Sequence, residues 1–452
     1  MTTIVDVSPG QHARTRSVRR AGWRSGLEGA TTPRRLGLLL ALLVLLSVVW
    51  GLLAALTANQ HAAAAGDVVA VSEPLSLDAE QVYTSLSDAD ATAANAFLTG
   101  GLEPAAARQR YQADITQAAI RIEAASALVG SSAARTQLPG HLAHQASTTG
   151  TAVGDDLATL SGQLPVYTDE VATARANNRL GYPLGAAYLR EASGLLRGTL
   201  LPAASDIYTR ESAQLTSASA QATGLPLMVI AIVVGLGFGY VLYRSWRWLA
   251  GHTHRVVNYG LLVAALAGLV SLVWLGGAFV VGRGDLLHAQ QQGSGPAQAY
   301  ARAEVAALQM HTDESLTLID NGGDDAYQKD YLHQKQLLGP GPGTLLSSTG
   351  SSSAIAGAQA WYQAHAALRK LDNNGKHAAA VQSALTGDAA AASGQLFTTL
   401  NDGIDTHQAV FASSAHAGRD AFTGLAAGMI VAALVMIAGC AWGLSRRLAE
   451  YR

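Results

Sequence analysis

Nine polar side chains crowd into the stretch Gln163–Ser193, QLPVYTDEVATARANNRLGYPLGAAYLREAS. They are Tyr167, Glu170, Arg175, Asn177, Asn178, Arg179, Tyr188, Arg190 and Glu191, set on both sides of a Gly181-Tyr182-Pro183 turn signal. An arginine fork grips a carboxylate through two parallel hydrogen bonds. Tyr167, Glu170, Arg175, Asn178, Arg179 and Arg190 could therefore contact a small ligand or a partner protein. The competing use of such side chains is to bond across neighbouring helices and fix the turn, and that is their more common fate.

Other candidates for chemistry are thin. The chain has no Walker loop, no GxSxG, no HExxH and no CxxC. His252 and His254 lie two apart, without the further ligands that a metal needs. Asp372-Asn373-Asn374-Gly375 resembles part of a calcium loop but lacks the closing glutamate, and fits a helix-ending turn better. Trp361, Tyr362, His365, Arg369 and Lys370 share one helical stretch, where Trp361 suits a core better than a contact surface. No enzymatic activity, metal or cofactor is expected from these residues.

The elements that must position the cluster are set by four apolar runs, 36–57, 225–243, 259–282 and 422–444. Each is near the ~20 residues that cross a bilayer as a helix. None contains Asp, Glu, Lys, Arg or His, which argues against a translocation pathway inside the spans. Ala62 to Ala65 could imitate a signal-peptidase site after the first run. A long polar leader and an apolar core longer than a signal sequence favour an uncleaved anchor.

Between the spans lie two polar segments, 58–224 and 283–421, with helical periodicity and no strand alternation. Val82, Leu86, Ala89, Ala93, Ala96 and Phe97 share a helical face that ends at Gly100-Gly101. Pro104 opens a second helix toward Gly130, a third covers about 132–180 with breaks expected at Gly140, Gly150 and Pro165, and a fourth covers 184–223. Four long helices with short turns predict an antiparallel bundle with the Gln163–Ser193 cluster at its membrane-distal tip. VYTSLSDADATAANAFLTGG (82–101) aligns with EVAALQMHTDESLTLIDNGG (304–323), which points to one bundle used twice. In the second segment, Gly339 to Gly343 (GPGPG) marks a turn, and the last helix is expected to continue into the fourth span. The fold class is thus all-α: an integral membrane protein with four transmembrane helices and two tandem extracytoplasmic four-helix bundles.

Charge orients this arrangement. Residues 1–35 hold seven Arg against two acids, and show no hydrophobic period. Arg244, Arg247 and Arg255 occupy the 244–258 linker, and Arg446, Arg447 and Arg452 lie in the 445–452 tail. Segment 58–224 carries 9 basic against 16 acidic residues, and segment 284–421 carries 7 against 13. By the positive-inside rule both termini and the linker face the cytoplasm of a plasma-membrane protein, with Tyr240, Tyr243, Trp246, Trp248 and Tyr259 as an interfacial belt. Neither acidic segment suits nucleic acid. Arg244, Arg247 and Arg255 become candidates for a cytoplasmic relay, since the chain holds no output domain of its own. Gly235, Gly237 and Gly239 either form a close-packing face or reflect a glycine-rich composition. Cys440, the single cysteine, excludes an internal disulfide.

The duplicated bundle resembles the four-helix sensor domains of bacterial chemoreceptors. The four spans, the SLSDADATAANAFL-type helix ending in Gly-Gly, and LPVYTDEVATARANNRLGYPLGAAYLREAS are similar to the GlnX family of actinobacterial membrane proteins, over the whole chain after the basic tail. That resemblance implies extracellular amino-acid sensing. It implies a solute-binding lipoprotein as the outer partner, and the serine/threonine kinase called protein kinase G as the inner one. A homo-oligomer is compatible with either bundle. The alternative is a structural or membrane subunit of a transport or cell-envelope complex.

Overall fold

The computed structural model describes residues 32–67, 69–70, 73–135, 141–222, 226–253, 258–321 and 325–449. Among these there is no β-strand; 92% of the structure is helical. Four helical stretches are long and apolar enough to cross a membrane, making the chain an all-α membrane protein. Arg255 and His254 lie outside the described residues, as does most of the basic leader.

The first apolar helix, α1, covers Thr32–Asp67 and so extends ten residues beyond the expected span end. Three long helices follow: α2 (Glu73–Phe97), α3 (Ala105–Arg135) and α4 (His141–Arg179). The next is α5 (Leu184–Leu195), which passes through a π-helical turn, Leu196–Leu200, into α6 (Leu201–Ala222). Helix α4 runs unbroken through Gly150 and Pro165, where breaks were expected. Its buried face, Val153, Leu157, Leu160, Leu164, Tyr167, Val171 and Ala174, supplies packing that outweighs the local cost of proline.

The second apolar helix, α7 (Pro226–Thr253), continues over most of the expected linker, so Arg244 and Arg247 stand on a helix rather than in a loop. Helix α8 (Tyr259–His288) passes through a second π-helical turn, Ala289–Ser294, into α9 (Gly295–Asp320). Then come α10 (Ala326–Leu338), α11 (Leu345–Thr349), α12 (Ser352–Asn373) and α13 (His377–Thr386). Last are α14 (Asp388–Asp420) and α15 (Leu425–Ala449). The last bundle helix does not run straight into its span. A short turn separates α14 from α15, and Gly424 sits there at φ +74°, a conformation that glycine enters without a Cβ penalty.

The chain divides into two compact units. One, from 1–52, 232–271 and 430–452, is built from the apolar helices. Leu45, Leu236, Leu269 and Leu434 lie on its exposed surface, as lipid-facing side chains do. Its interior is joined by small residues. A Cβ on Gly260 would lie 2.5 Å from the Gly439 carbonyl oxygen and from Gly443 Cα, so α8 and α15 touch backbone to backbone. Asn258 Nδ2 donates to the Gly443 carbonyl at 2.9 Å beside that contact. Gly235 receives the Trp50 ring, whose Nε1 donates to Ser271 Oγ at 3.1 Å; Gly237 and Gly239 meet nothing within 4 Å. Of the three glycines in α7, therefore, Gly235 is the one that close packing uses. Gly260→Leu is expected to force α8 and α15 apart and to cost about 1–3 kcal/mol or more by overpacking. A thermal midpoint of the purified protein within about 1 °C of wild type would refute that.

The other unit, 53–231 and 272–429, holds both helical groups. In the first, α2, α3, α4 and α5–α6 enclose Leu86, Ala118, Leu160, Tyr167, Leu189, Leu196 and Ile207. In the second, α9, α10, α12 and α14 enclose Met310, Tyr331, Trp361, Leu396 and Leu400. The expected helical face of α2 is in place: Val82, Leu86, Ala89, Ala93 and Ala96 are buried. Asp372 to Gly375 forms a helix-ending turn, with Asp372 accepting from Arg369 and His377. The two groups also share a core: Leu316 of α9 belongs to the first, and Leu98, just beyond α2, packs into the cluster of Leu318 and Leu368. Helices α2 and α9 pack against each other, with Asn95 Nδ2 lying 3.4 Å from His311 Nε2.

Candidate functional site

The tip of the first group is made by two glycine turns. Gly100 and Gly101, at φ +63° and +64°, end α2, and Gly181, at φ +74°, joins α4 to α5. Gly185 lets α5 close on α4: a Cβ there would lie 2.9 Å from the Ala174 carbonyl oxygen and from the Asn178 nitrogen. Asn178 Nδ2 donates to the Phe97 carbonyl at 3.1 Å, satisfying one of the orphan acceptors at the end of α2.

Most of the polar cluster turns inward or sideways. Arg175 pairs with Glu103 at 3.0 Å and lies over the Tyr111 ring at 4.0 Å. Tyr167 is fully buried, and its hydroxyl donates to Asp90 Oδ1 at 3.5 Å. Ser193 Oγ donates to the same oxygen at 2.6 Å. Arg190 reaches the second group, pairing with Asp320 at 2.5 Å. Glu170 is half-buried near Glu191 and Asp169; partial desolvation first, then these two acids, push its carboxyl up. Arg179 is exposed and has no ion-pair partner among the described residues. The tip cavity beside Glu103, Arg175, Asn178 and Arg179 measures about 10 Å³, room for one water at most. That volume is far below what holds a metabolite.

Below the tip lies a buried ionic cluster that the sequence cluster only brushes. Arg197, in the first π-helical turn, pairs with Asp313 of α9 at 2.5 Å. Asp313 is wholly buried, and burial pushes its carboxyl up to about 6 against the pull of Arg197. Asp90 is also buried and raised, with Arg197, Ser193 and Tyr167 opposing the effect of desolvation. Nearer the start of α2, Glu80 is pushed to about 8 by burial and then by Glu304, which is itself raised to about 7. In the second group His365 Nδ1 bonds Glu314 Oε2 at 2.7 Å, and the His365 ring stacks on Tyr331 at 3.6 Å. Among the described residues no three His, Cys, Asp or Glu converge as a metal site.

In the apolar unit Arg244 and Arg247 border a groove of about 580 Å³ with Arg35, Tyr240 and Trp248. The two described members of the proposed relay set thus face one groove.

Residues 64–220 match the family model described as an actinobacterial sensor domain. The matched stretch runs from the end of α1 through α6. It supports a sensor or signalling role for this membrane protein. No curated protein and no solved structure matches the chain.

Proposed function

We propose that this chain is a non-enzymatic transmembrane sensor or adaptor of the GlnX type. It relays extracellular amino-acid availability from a solute-binding lipoprotein to a cytoplasmic serine/threonine kinase. The observation that carries this is the sensor-domain match over 64–220, in a chain anchored by four apolar helices. The basic leader, α7 end and C-terminal tail lie inside the plasma membrane under the positive-inside rule, leaving both helical groups outside. The 82–101 and 304–323 repeat makes the two groups copies of one bundle. The lipoprotein meets the tip through Glu170 and Arg179, and the kinase meets the Arg244 and Arg247 groove, together with Arg255.

Crosslinking of the intact protein in its own membranes, read by mass spectrometry, tests both ends. A lipoprotein and a kinase are expected; recovery of neither would overturn the proposal. Arg179→Ala is expected to cut lipoprotein crosslinking several-fold with stability within ~0.5 kcal/mol of wild type, because the side chain is exposed. Arg175→Ala is a poorer probe, since it also removes the Glu103 pair and the Tyr111 contact. The alternative, a stalk in a transport or envelope complex, predicts lost uptake with unaltered signalling.

A further inference from the structure

A wider opening than the tip cavity lies between the two groups. It is a half-open cleft of about 360 Å³ bounded by α2, α6, α9, α10 and α11. Small-molecule sites commonly begin near this size. Its wall carries Glu80, Tyr83, Tyr208, Arg302, Gln309 and Gln334, over an apolar floor that includes Val305 and Leu345.

Three features of this wall lack the partner that their chemistry calls for. Glu80 is 7% exposed, and its charged neighbour in α9 is another acid, Glu304; its hydrogen bond from Gln408 of α14 is long, at 3.4 Å. Arg302 is exposed at the cleft and has no ion-pair partner among the described residues. Tyr208 is 8% exposed, its hydroxyl has no hydrogen-bond partner, and both Glu80 and Arg302 act on it electrostatically. A buried phenol is normally satisfied. An acid without a cation and a cation without an acid, both within electrostatic range of one free hydroxyl, call for a guest that carries both charges.

We propose that this cleft binds a small zwitterion, an amino acid, with its ammonium against Glu80 and its carboxylate against Arg302 and the Tyr208 hydroxyl. Gln309 and Gln334 face the remainder of the guest. The site belongs to the chain itself and is separate from any lipoprotein contact at the tip, so either can fail without the other. Because Glu80 is raised to about 8, an arriving ammonium displaces its proton into solvent. The groups acting on or beside Glu80 are Glu304 of α9, Gln408 of α14 and Tyr208 of α6, and none of them is a cation.

Calorimetry on the full chain in nanodiscs at pH 7, with the twenty standard amino acids as probes, tests the proposal. At least one is expected to bind with a Kd below about 1 mM. Leucinamide and 4-methylpentanoate, which each lack one charge of leucine, serve as controls. Each is expected to bind roughly tenfold or more weakly than the zwitterion if leucine is among the ligands. Titration in two buffers of different ionisation enthalpy is expected to show proton release on binding. Arg302→Ala, on an exposed side chain, and Tyr208→Phe, which removes one oxygen, are each expected to weaken binding about tenfold or more at unchanged fold. Glu80→Gln is expected to abolish the proton release. No binding by any of the twenty, or binding indifferent to Arg302→Ala and Tyr208→Phe, overturns it.

Discussion

Arg197→Ala is expected to destabilise the helical unit by about 3 kcal/mol, the lower end for breaking a buried ion pair. The lower end applies because 24% of the Arg197 side chain remains exposed, whereas Asp313 has 0%. The loss has two sources. Asp313 is left as a buried carboxylate with no cation at 2.5 Å, and Asp90 loses the attraction that opposes its own desolvation. The variant also severs a bond between the two helical groups, because Arg197 sits in the π-helical turn between α5 and α6 and Asp313 sits on α9. Replacing both partners by apolar residues of similar size, Arg197→Met with Asp313→Leu, is expected to recover much of the loss, since no lone charge then stays buried. Denaturant unfolding of the purified protein measures both. A single variant within about 0.5 kcal/mol of wild type would show that the pair contributes nothing.

Lowering the pH from about 8 to about 5.5 is expected to stabilise the same unit. Glu80 is raised to about 8, Glu304, Glu211 and Asp114 to about 7, and Asp313 to about 6, with burial the first cause in every case. Each folded carboxyl therefore holds its proton at a pH where the unfolded one has released it. The folded state binds more protons through this window, so stability falls as pH rises. Each group's unfavourable contribution is absent below its unfolded value near 4 and complete above its folded value. One such unit of pKa corresponds to about 1.4 kcal/mol, and neighbouring acids share rather than add their effects. A rise of several degrees in thermal midpoint between pH 8 and 5.5 is the expected result. Glu80→Gln should remove part of that slope; a midpoint that falls on acidification would contradict the burial of these acids.

The helix content, the apolar spans and the tip turn were legible in the residues because each has a local cause. Apolar length marks a span, Gly-Gly ends α2, and Val82, Leu86 and Ala93 recur at helical spacing. The buried acids were legible in principle. Asp90 sits four residues after Leu86 and three before Ala93, on the apolar stripe itself. An acid on that stripe signals a buried partner, yet nothing local says that the partner is Arg197, since its distance in sequence carries no periodic mark. Glu80 of α2 and Arg302 of α9 both acting on Tyr208 of α6 is likewise a product of tertiary packing. The Gln163–Ser193 cluster stood out for its density, but density does not say which way a side chain turns: Tyr167 points into the core while Arg179 faces out. The π-helical turns left no sign either, since their extra residue is accommodated by packing rather than by a breaker.

Leu316 fills the interior of the first helical group from α9, and Arg197 reaches out of that group for its counter-ion. A recognisable module of heredity, 64–220, is thus not a module of thermodynamics. Excised alone, it would open a socket where Leu316 sat and strand a guanidinium, and so would be prone to clump or to stay loosely packed. The stability of either half of the unit is therefore held in common with the other, through Leu316 and the Arg197–Asp313 pair.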